Sequence, residues 1–266
     1  MTGPADVDVG VVIPCYGYAH LLAEAVESAL GQSYPPRQVV VVDDGSPDDT
    51  AAVAARYGAA GVRYLRRPNG GPGAARNTGA AACDTAYLVF LDADDRLDPL
   101  YLERTLPVLE AAGDEIGYVY TQCRYFGAED GVSSFPSWDR ARLLRWPFVH
   151  ASALLRAELL RRFPYDEGRL AGVEDWDFYL TLAEHGIGGI LVDEPLLLYR
   201  KHADSSRGAR FDADPEADKT FHRILRKHWR LGGVGHAVRV EAYYARRALN
   251  RQRRRPAGRA SSPSPP

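Results

Sequence analysis

Apolar positions in the first hundred residues follow two alternating periods. Val9–Ile13 is a short β-branched run stopped by Pro14, and in His20–Leu30 the residues Leu21, Leu22, Ala25, Val26, Ala29 and Leu30 recur at helical spacing. Val39–Val42 is an unbroken β-branched run, the pattern of a strand buried on both faces of a parallel sheet. The same reading predicts a helix over Asp48–Tyr57, a strand over Val62–Leu65, an Ala-rich helix over Gly73–Ala82 and a strand over Tyr87–Leu91. A helix over Pro99–Ala111 follows, with Pro in its first turn. Such alternation predicts an α/β sandwich with right-handed crossovers, and its ligands should collect beyond the carboxyl ends of the strands.

The pattern changes after Gly117. Tyr118–Phe126 reads as an aromatic-rich strand, 127–145 as irregular, Ala153–Arg162 as a helix and Glu174–His185 as an amphipathic helix. Ile187–Val192 and Leu196–Tyr199 read as two returning strands. Pro215–Leu231 and His236–Arg251 read as two helices separated by Gly232-Gly233. Arg253–Pro266, rich in Pro and Ser, has the composition of a disordered tail.

Charge sharpens this division. The 266 residues carry a net charge of −2, yet residues 219–259 hold thirteen Lys/Arg against the single acid Glu241. The simplest reading of this arm is a solvated helical face running into a basic tail; its charge also suits an anionic membrane surface, a nucleic acid or the acidic body of the chain itself. No apolar run reaches the length of a membrane span, and the N-terminus lacks the features of a signal peptide, so a cytoplasmic location is expected. Cys15, Cys83 and Cys123 are odd in number and widely spaced, which argues against a disulfide framework or a structural zinc site.

Five polar segments sit where the chemistry should be. Asp92, Asp94 and Asp95 crowd the end of the Tyr87–Leu91 strand; such like charge suits a hard divalent cation, Mg²⁺ or Mn²⁺, and a solvated turn with Asp95 or Asp98 as N-cap accounts for it equally well. Asp43-Asp44-Gly45-Ser46 ends a buried strand, where one carboxylate can accept a hydrogen bond from a nucleobase N–H. Asn69–Gly79 is Gly-rich but matches neither a dinucleotide fingerprint nor a Walker loop, because Arg76 replaces the third glycine and no Gly-Lys-Ser/Thr occurs. Glu174-Asp175-Trp176-Asp177 opens a helix, where an acid beside an aromatic platform suits a sugar, although the helix dipole alone accounts for acids there. In Tyr199-Arg200-Lys201-His202, Arg200 and Lys201 can neutralise a diphosphate and His202 can bind metal or phosphate.

In order, these pieces resemble the inverting family-2 glycosyltransferases with the GT-A fold. The matching stretches are Val11–Tyr16, Leu30–Tyr34, Val42–Ser46, Gly73–Gly79, Leu91–Asp95, Glu174–Asp177 and Tyr199–His202, spread over about residues 9–205. The resemblance implies a Rossmann-like α/β/α sandwich with a mixed, mainly parallel central sheet and C-terminal helices. It divides the chain into a domain over 1–210, with a nucleotide-binding half at about 7–115 and an acceptor half at about 116–210. A helical extension over 211–251 and a tail over 252–266 follow. By position, Pro14, Tyr16 and Asp44 would line a uracil pocket with Asp43 beside them, Arg76 would hold the nucleotide, and Asp92 would face ribose or metal. Asp94 and His202 would ligate Mn²⁺ or Mg²⁺, and Asp175 would be the catalytic base. Glu174, Trp176 and Arg200 would contact substrate. Gly17 departs from the family, which usually has Asn there. The implied partners are a UDP-sugar donor and a glycan, glycolipid or small-molecule acceptor. Peripheral contact with the inner membrane face through the basic arm is a further expectation, and no nucleic acid is expected. Two other readings compete: a sugar nucleotidyltransferase, which would need a basic Gly-rich loop absent from Val11–Leu22, and a non-catalytic glycan- or membrane-binding module.

Overall fold

The structure is a computed structural model that describes residues 7–168, 170, 172–203 and 215–254, with the side chains of the last two helices described over 219–244. Strand β1 (Val7–Cys15), helix α1 (Ala19–Leu30), β2 (Pro36–Asp43), α2 (Thr50–Ala55), β3 (Arg63–Arg66), α3 (Pro72–Ala82) and β4 (Tyr87–Phe90) build the first half. Then come β5 (Arg96–Leu97), α4 (Tyr101–Glu110), β6 (Ile116–Gly127), β7 (Gly131–Val132), α5 (Arg140–Leu143), β8 (Leu154–Arg156), α6 (Glu158–Arg162), α7 (Glu174–Glu184) and β9 (Gly188–Lys201). Helices α8 (Pro215–Lys227) and α9 (Trp229–Arg254) follow.

All nine strands join one sheet in the order β3-β2-β1-β4-β8-β6-β9-β5, with β7 on β6. The run β3-β2-β1-β4 is parallel throughout, β6 and β9 are parallel, and β8 enters antiparallel between β4 and β6. The two-residue period of the strands divides the core. Val12, Val40, Val42, Leu88 and Phe90 face one layer, with Trp176, Tyr179 and Ile224. Val11, Ile13, Val39, Val41, Val89 and Leu91 face the other, with Leu22, Val26 and Leu106. This explains the unbroken apolar runs: both faces are covered. Strand order reverses at β1, so the carboxyl ends of β1, β2 and β4 open onto one crevice.

One glycine sets how closely α3 approaches the sheet. A Cβ on Gly79 would lie 2.2 Å from Val12 Cγ1 and 3.1 Å from Val42 Cγ2. Both partners are β-branched and fully buried, so neither can swing aside. Gly79→Ala is expected to cost about 1–3 kcal/mol by overpacking, read as a lower urea midpoint at unchanged m-value.

Several elements differ from the expected ones. The helix expected over Ala153–Arg162 is a strand followed by a short helix, because Ala153, Leu154 and Leu155 are swallowed between β4 and β6 and ladder pairing overrides their helix propensity. The two expected returning strands are one strand, β9, whose register against β6 shifts near Pro195, a residue that cannot donate to the ladder. Helix α2 starts at Thr50 rather than Asp48, since Asp48 accepts bonds from Ala19 N (2.9 Å) and Thr50 Oγ1 (2.6 Å). The break at Gly232-Gly233 is a kink inside α9, where Gly233 has φ 68°, and the two helices part earlier, at His228. The 210/211 boundary and the tail beyond 254 lie outside the described residues.

The C-terminal extension docks on the back of α7. Phe221 packs against Trp176 at 4.9 Å between ring centroids. Lys227 Nζ donates to Asp166 Oδ2 (3.0 Å) and Asp177 Oδ2 (2.7 Å), and His228 Nε2 lies 3.0 Å from Asp177 Oδ1. Among the described residues no helix is long and apolar enough to cross a membrane.

Candidate active site

A cleft of about 650 Å³ opens at the carboxyl ends of β1, β2 and β4. Pro14, Tyr16, Asp44, Arg76, Asp92, Asp94, Glu174 and Asp175 all line it, although they come from five separate parts of the chain.

At the β2 end the two adjacent acids divide their work. Asp43 is fully buried; its Oδ1 accepts from Ser46 N (2.6 Å) and its Oδ2 from the Tyr64 hydroxyl (2.6 Å) and Arg66 Nη1 (2.9 Å). Burial alone would raise its pKa, but the hydrogen bonds from Tyr64 and Ser46 and the charge of Arg66 outweigh this and hold it below the usual carboxylate value. Asp43 therefore ties the turn together behind the cleft wall. Asp44 reaches the cleft, its Oδ2 accepting from Gly71 N (2.8 Å), and its Oδ1 from Gly70 N (3.0 Å) and from Arg67. The Gly-rich segment thus closes on a carboxylate and folds against the cleft.

Gly17, where the resemblance expects Asn, has φ 74° and donates its N–H to Ser46 Oγ at 3.2 Å. Gly adopts this left-handed conformation at little cost, and Asn is among the few other residues that do.

Arg76 is the organising cation. Its Nη2 donates to Asp92 Oδ1 (2.9 Å) and its Nη1 to Glu174 Oε1 (2.8 Å), joining the end of β4 to the start of α7. Its Nε is buried with no protein partner among the described residues. Asp175, the next residue, accepts from Trp176 N at 2.8 Å. Desolvation in the cleft wall, then the neighbouring Glu174 carboxylate, push the Asp175 pKa up from 3.8 to about 7; Arg76 opposes them. A carboxylate poised there suits a general base.

Asp94 lines the cleft, and its Oδ2 lies 2.8 Å from Nε2 of His202, which stands behind it and does not line the cleft itself. A carboxylate oxygen and an imidazole nitrogen together suit Mn²⁺ or Mg²⁺ held partly by substrate phosphates. Among the described residues no set of three or more His, Cys, Asp or Glu is placed to hold a metal ion. Asp95 is buried and accepts from Arg200 N (2.8 Å).

Two expected contacts move. Trp176 is not a sugar platform: it is 1% exposed, and its Nε1 donates to Leu143 O at 2.7 Å. One helical residue past Asp175, the indole points into the core. Arg200 does not face the cleft; its Nε donates to Asp94 O (2.8 Å) and its Nη2 to Glu24 Oε2 (2.7 Å), bracing the acidic turn from behind. Alternation along β9 turns Tyr199 and Lys201 toward the cleft instead, with Lys201 Nζ 4.1 Å from the Tyr125 ring centroid.

Two cleft residues carried no sequence signal. His150 approaches Thr121 O through Nε2 (3.1 Å), and burial pushes its pKa down to about 4, so the ring is neutral and Nε2 carries the proton. Trp146 lines the cleft and is 51% exposed. Both lie in a stretch with no hydrophobic period.

A sheet covered by helices on both faces, with acidic and Gly-rich loops around one crevice, has the GT-A architecture. The family model for glycosyl transferase family 2 matches residues 10–161, and the chain belongs to that family. It is 36% identical over 233 residues to the uncharacterized glycosyltransferase RP339 of Rickettsia prowazekii, covering 82% of this chain and 72% of that protein. It is 32% identical over 188 residues to the chondroitin synthase of Escherichia coli, covering 67% of this chain but 27% of that protein. Among solved structures, S. aureus TarS with UDP-GlcNAc superposes with a TM-score of 0.66 at 18% identity, over 81% of this chain and 65% of that one. Glucosyl-3-phosphoglycerate synthase of Mycobacterium tuberculosis with Mn²⁺, UDP and glucosyl-3-phosphoglycerate superposes with a TM-score of 0.57 at 20% identity, over 82% and 79% of the two chains.

Proposed function

We propose that this protein moves a hexose from a UDP-sugar to an acceptor hydroxyl by single displacement with inversion. The observation that carries the reading is Asp175, a cleft carboxylate with its pKa raised to about 7 and linked through Glu174, Arg76 and Asp92 to the acidic turn of Asp94. UDP and UDP-GlcNAc in structures of the same fold support the donor assignment.

Tyr16 and Pro14 would flank the uracil, and Asp44, held rigid by Gly70 and Gly71, would receive the base N–H. Arg76 would hold Asp92 against the ribose. Asp175 takes the proton of the acceptor hydroxyl, whose oxygen attacks the anomeric carbon opposite the diphosphate. The bond from that carbon to the phosphate oxygen breaks, and UDP leaves with its electron pair. One displacement inverts the centre, so no carboxylate nucleophile is needed, unlike in a retaining hydrolase. A divalent cation held by Asp94 and His202 would supply positive charge where the leaving diphosphate becomes more negative. Lys201, on the cleft face of β9, would add to that charge.

The acceptor hydroxyl belongs to a glycan, a glycolipid or a small molecule, the classes that membership of the family supports. The C-terminal helices support peripheral contact with anionic lipid: the arm is strongly basic, and Val234 and Val238 lie exposed one turn apart on α9. Calorimetric titration with UDP in Mn²⁺ and in EDTA tests the donor site, with GDP as control. Binding is expected for UDP and to be tighter with Mn²⁺; no UDP binding in either condition removes the reading.

A further inference from the structure

We propose that Trp146 is the floor of an acceptor subsite built for an uncharged sugar ring; this rests on the reading of the cleft as a sugar-transfer site. Trp146 is 51% exposed and lines the cleft, a large apolar surface left open beside a polar site. Its position is fixed rather than loose. Trp146 N donates to Arg142 O at 3.1 Å, and Phe148, two residues on, is buried with its ring centroid 6.3 Å from that of Trp146. The bond from Trp176 Nε1 to Leu143 O, 2.7 Å, then ties this segment to the residue next to Asp175. The aromatic surface and the base both line the same cleft, as an acceptor bound against one and deprotonated by the other requires.

Charge selects the ligand. Asp44, Asp92, Asp94, Asp95, Glu174 and Asp175 line the cleft, whereas Arg76 and Lys201 are its only Lys or Arg among the described residues. Arg76 is committed to Asp92 and Glu174, and Lys201 stands next to His202, at the end assigned to the diphosphate. Arg142 and Arg145, in the same turn as Trp146, are exposed but do not line the cleft. Among the described residues a carboxylate or phosphate on the acceptor would therefore meet no cation on the cleft wall beside Trp146, while the C–H face of a neutral pyranose stacks on an indole without one.

The test uses full-length protein with UDP and Mn²⁺, titrated with uncharged methyl hexosides and disaccharides, with methyl glucuronide and 3-phosphoglycerate as anionic probes. Binding is read by saturation-transfer NMR and calorimetry. At least one uncharged glycoside is expected to bind, and more tightly than either anion. Trp146→Ala should weaken it by about tenfold or more, Trp146→Phe by less, at unchanged UDP affinity, which also reports that the variants are folded. Equal binding by Trp146→Ala, tighter binding of an anion, or no binding of any uncharged glycoside overturns the proposal. Wild-type protein that binds a glycoside but not UDP leaves this subsite standing and sinks the donor reading instead.

Discussion

Asp175→Asn is expected to lower kcat for sugar transfer by about 10²–10⁴-fold while UDP affinity stays unchanged. The amide keeps the size of the carboxyl and the bond from Trp176 N, but it cannot take a proton. The wild-type enzyme should show a second signature. Desolvation and Glu174 place the Asp175 pKa at about 7, well above its ordinary 3.8, so the base form is scarce in mild acid. kcat/KM should therefore rise about tenfold per pH unit below this value and level off above it. In Asp175→Asn that limb should vanish. Initial rates of UDP release across about pH 5.5–8.5 measure both effects. Asp177→Asn is the control on the same helix: its carboxylate faces Lys227 and His228, so its loss should lower stability and leave the pH limb in place. A matched loss of UDP affinity in Asp175→Asn, or an unaltered acid limb, would show that this carboxylate is not the base.

The first half of the fold was legible in the sequence because its signals are strong and local. Val39–Val42 has no solvent face, and only a doubly covered strand tolerates that; it is the buried end of β2. The acids after β2 and β4 follow directly from the strand ends, so their convergence could be read from topology before any coordinates. What was hidden depends on side-chain direction and on tertiary pairing. Trp176 is one residue from Asp175, and on a helix neighbouring residues point about 100° apart, which separates the cleft from the core. Arg200 and Lys201 are adjacent on a strand, where neighbours face opposite sides; the choice between them needs the register of β9, set by pairing with β6 some seventy residues earlier. Strand β8 is three residues long, too short for any period to show, and its Leu-Leu-Arg sequence suits a helix equally well. His150 and Trp146 lie in a loop segment whose position is dictated by Trp176 and Tyr179 on α7, contacts that no local pattern records.

Asp94→Ala should remove the Mn²⁺-dependent part of UDP binding, a loss of about 10–100-fold measured in Mn²⁺, while affinity in EDTA stays at the wild-type value. The two conditions separate a metal ligand from a residue that merely shapes the cleft, since a structural defect would weaken binding in both. The geometry argues for a specific effect. The Asp94 main chain is held by Arg200, whose Nε donates to Asp94 O, and the next residue, Asp95, accepts from Arg200 N. Truncating the Asp94 side chain leaves both bonds intact, so the turn should keep its shape and only the donor oxygen is lost. His202→Ala should act in the same direction but more weakly, because a neutral imidazole contributes no formal charge against a divalent cation. In Arg200→Met the order inverts: the donor atoms remain, but the side-chain brace of the turn is gone, so affinity should fall in EDTA as well as in Mn²⁺. If Asp94→Ala kept full Mn²⁺ dependence, the acidic turn would have to be read as a capped strand end, and the cation would need ligands elsewhere in the cleft.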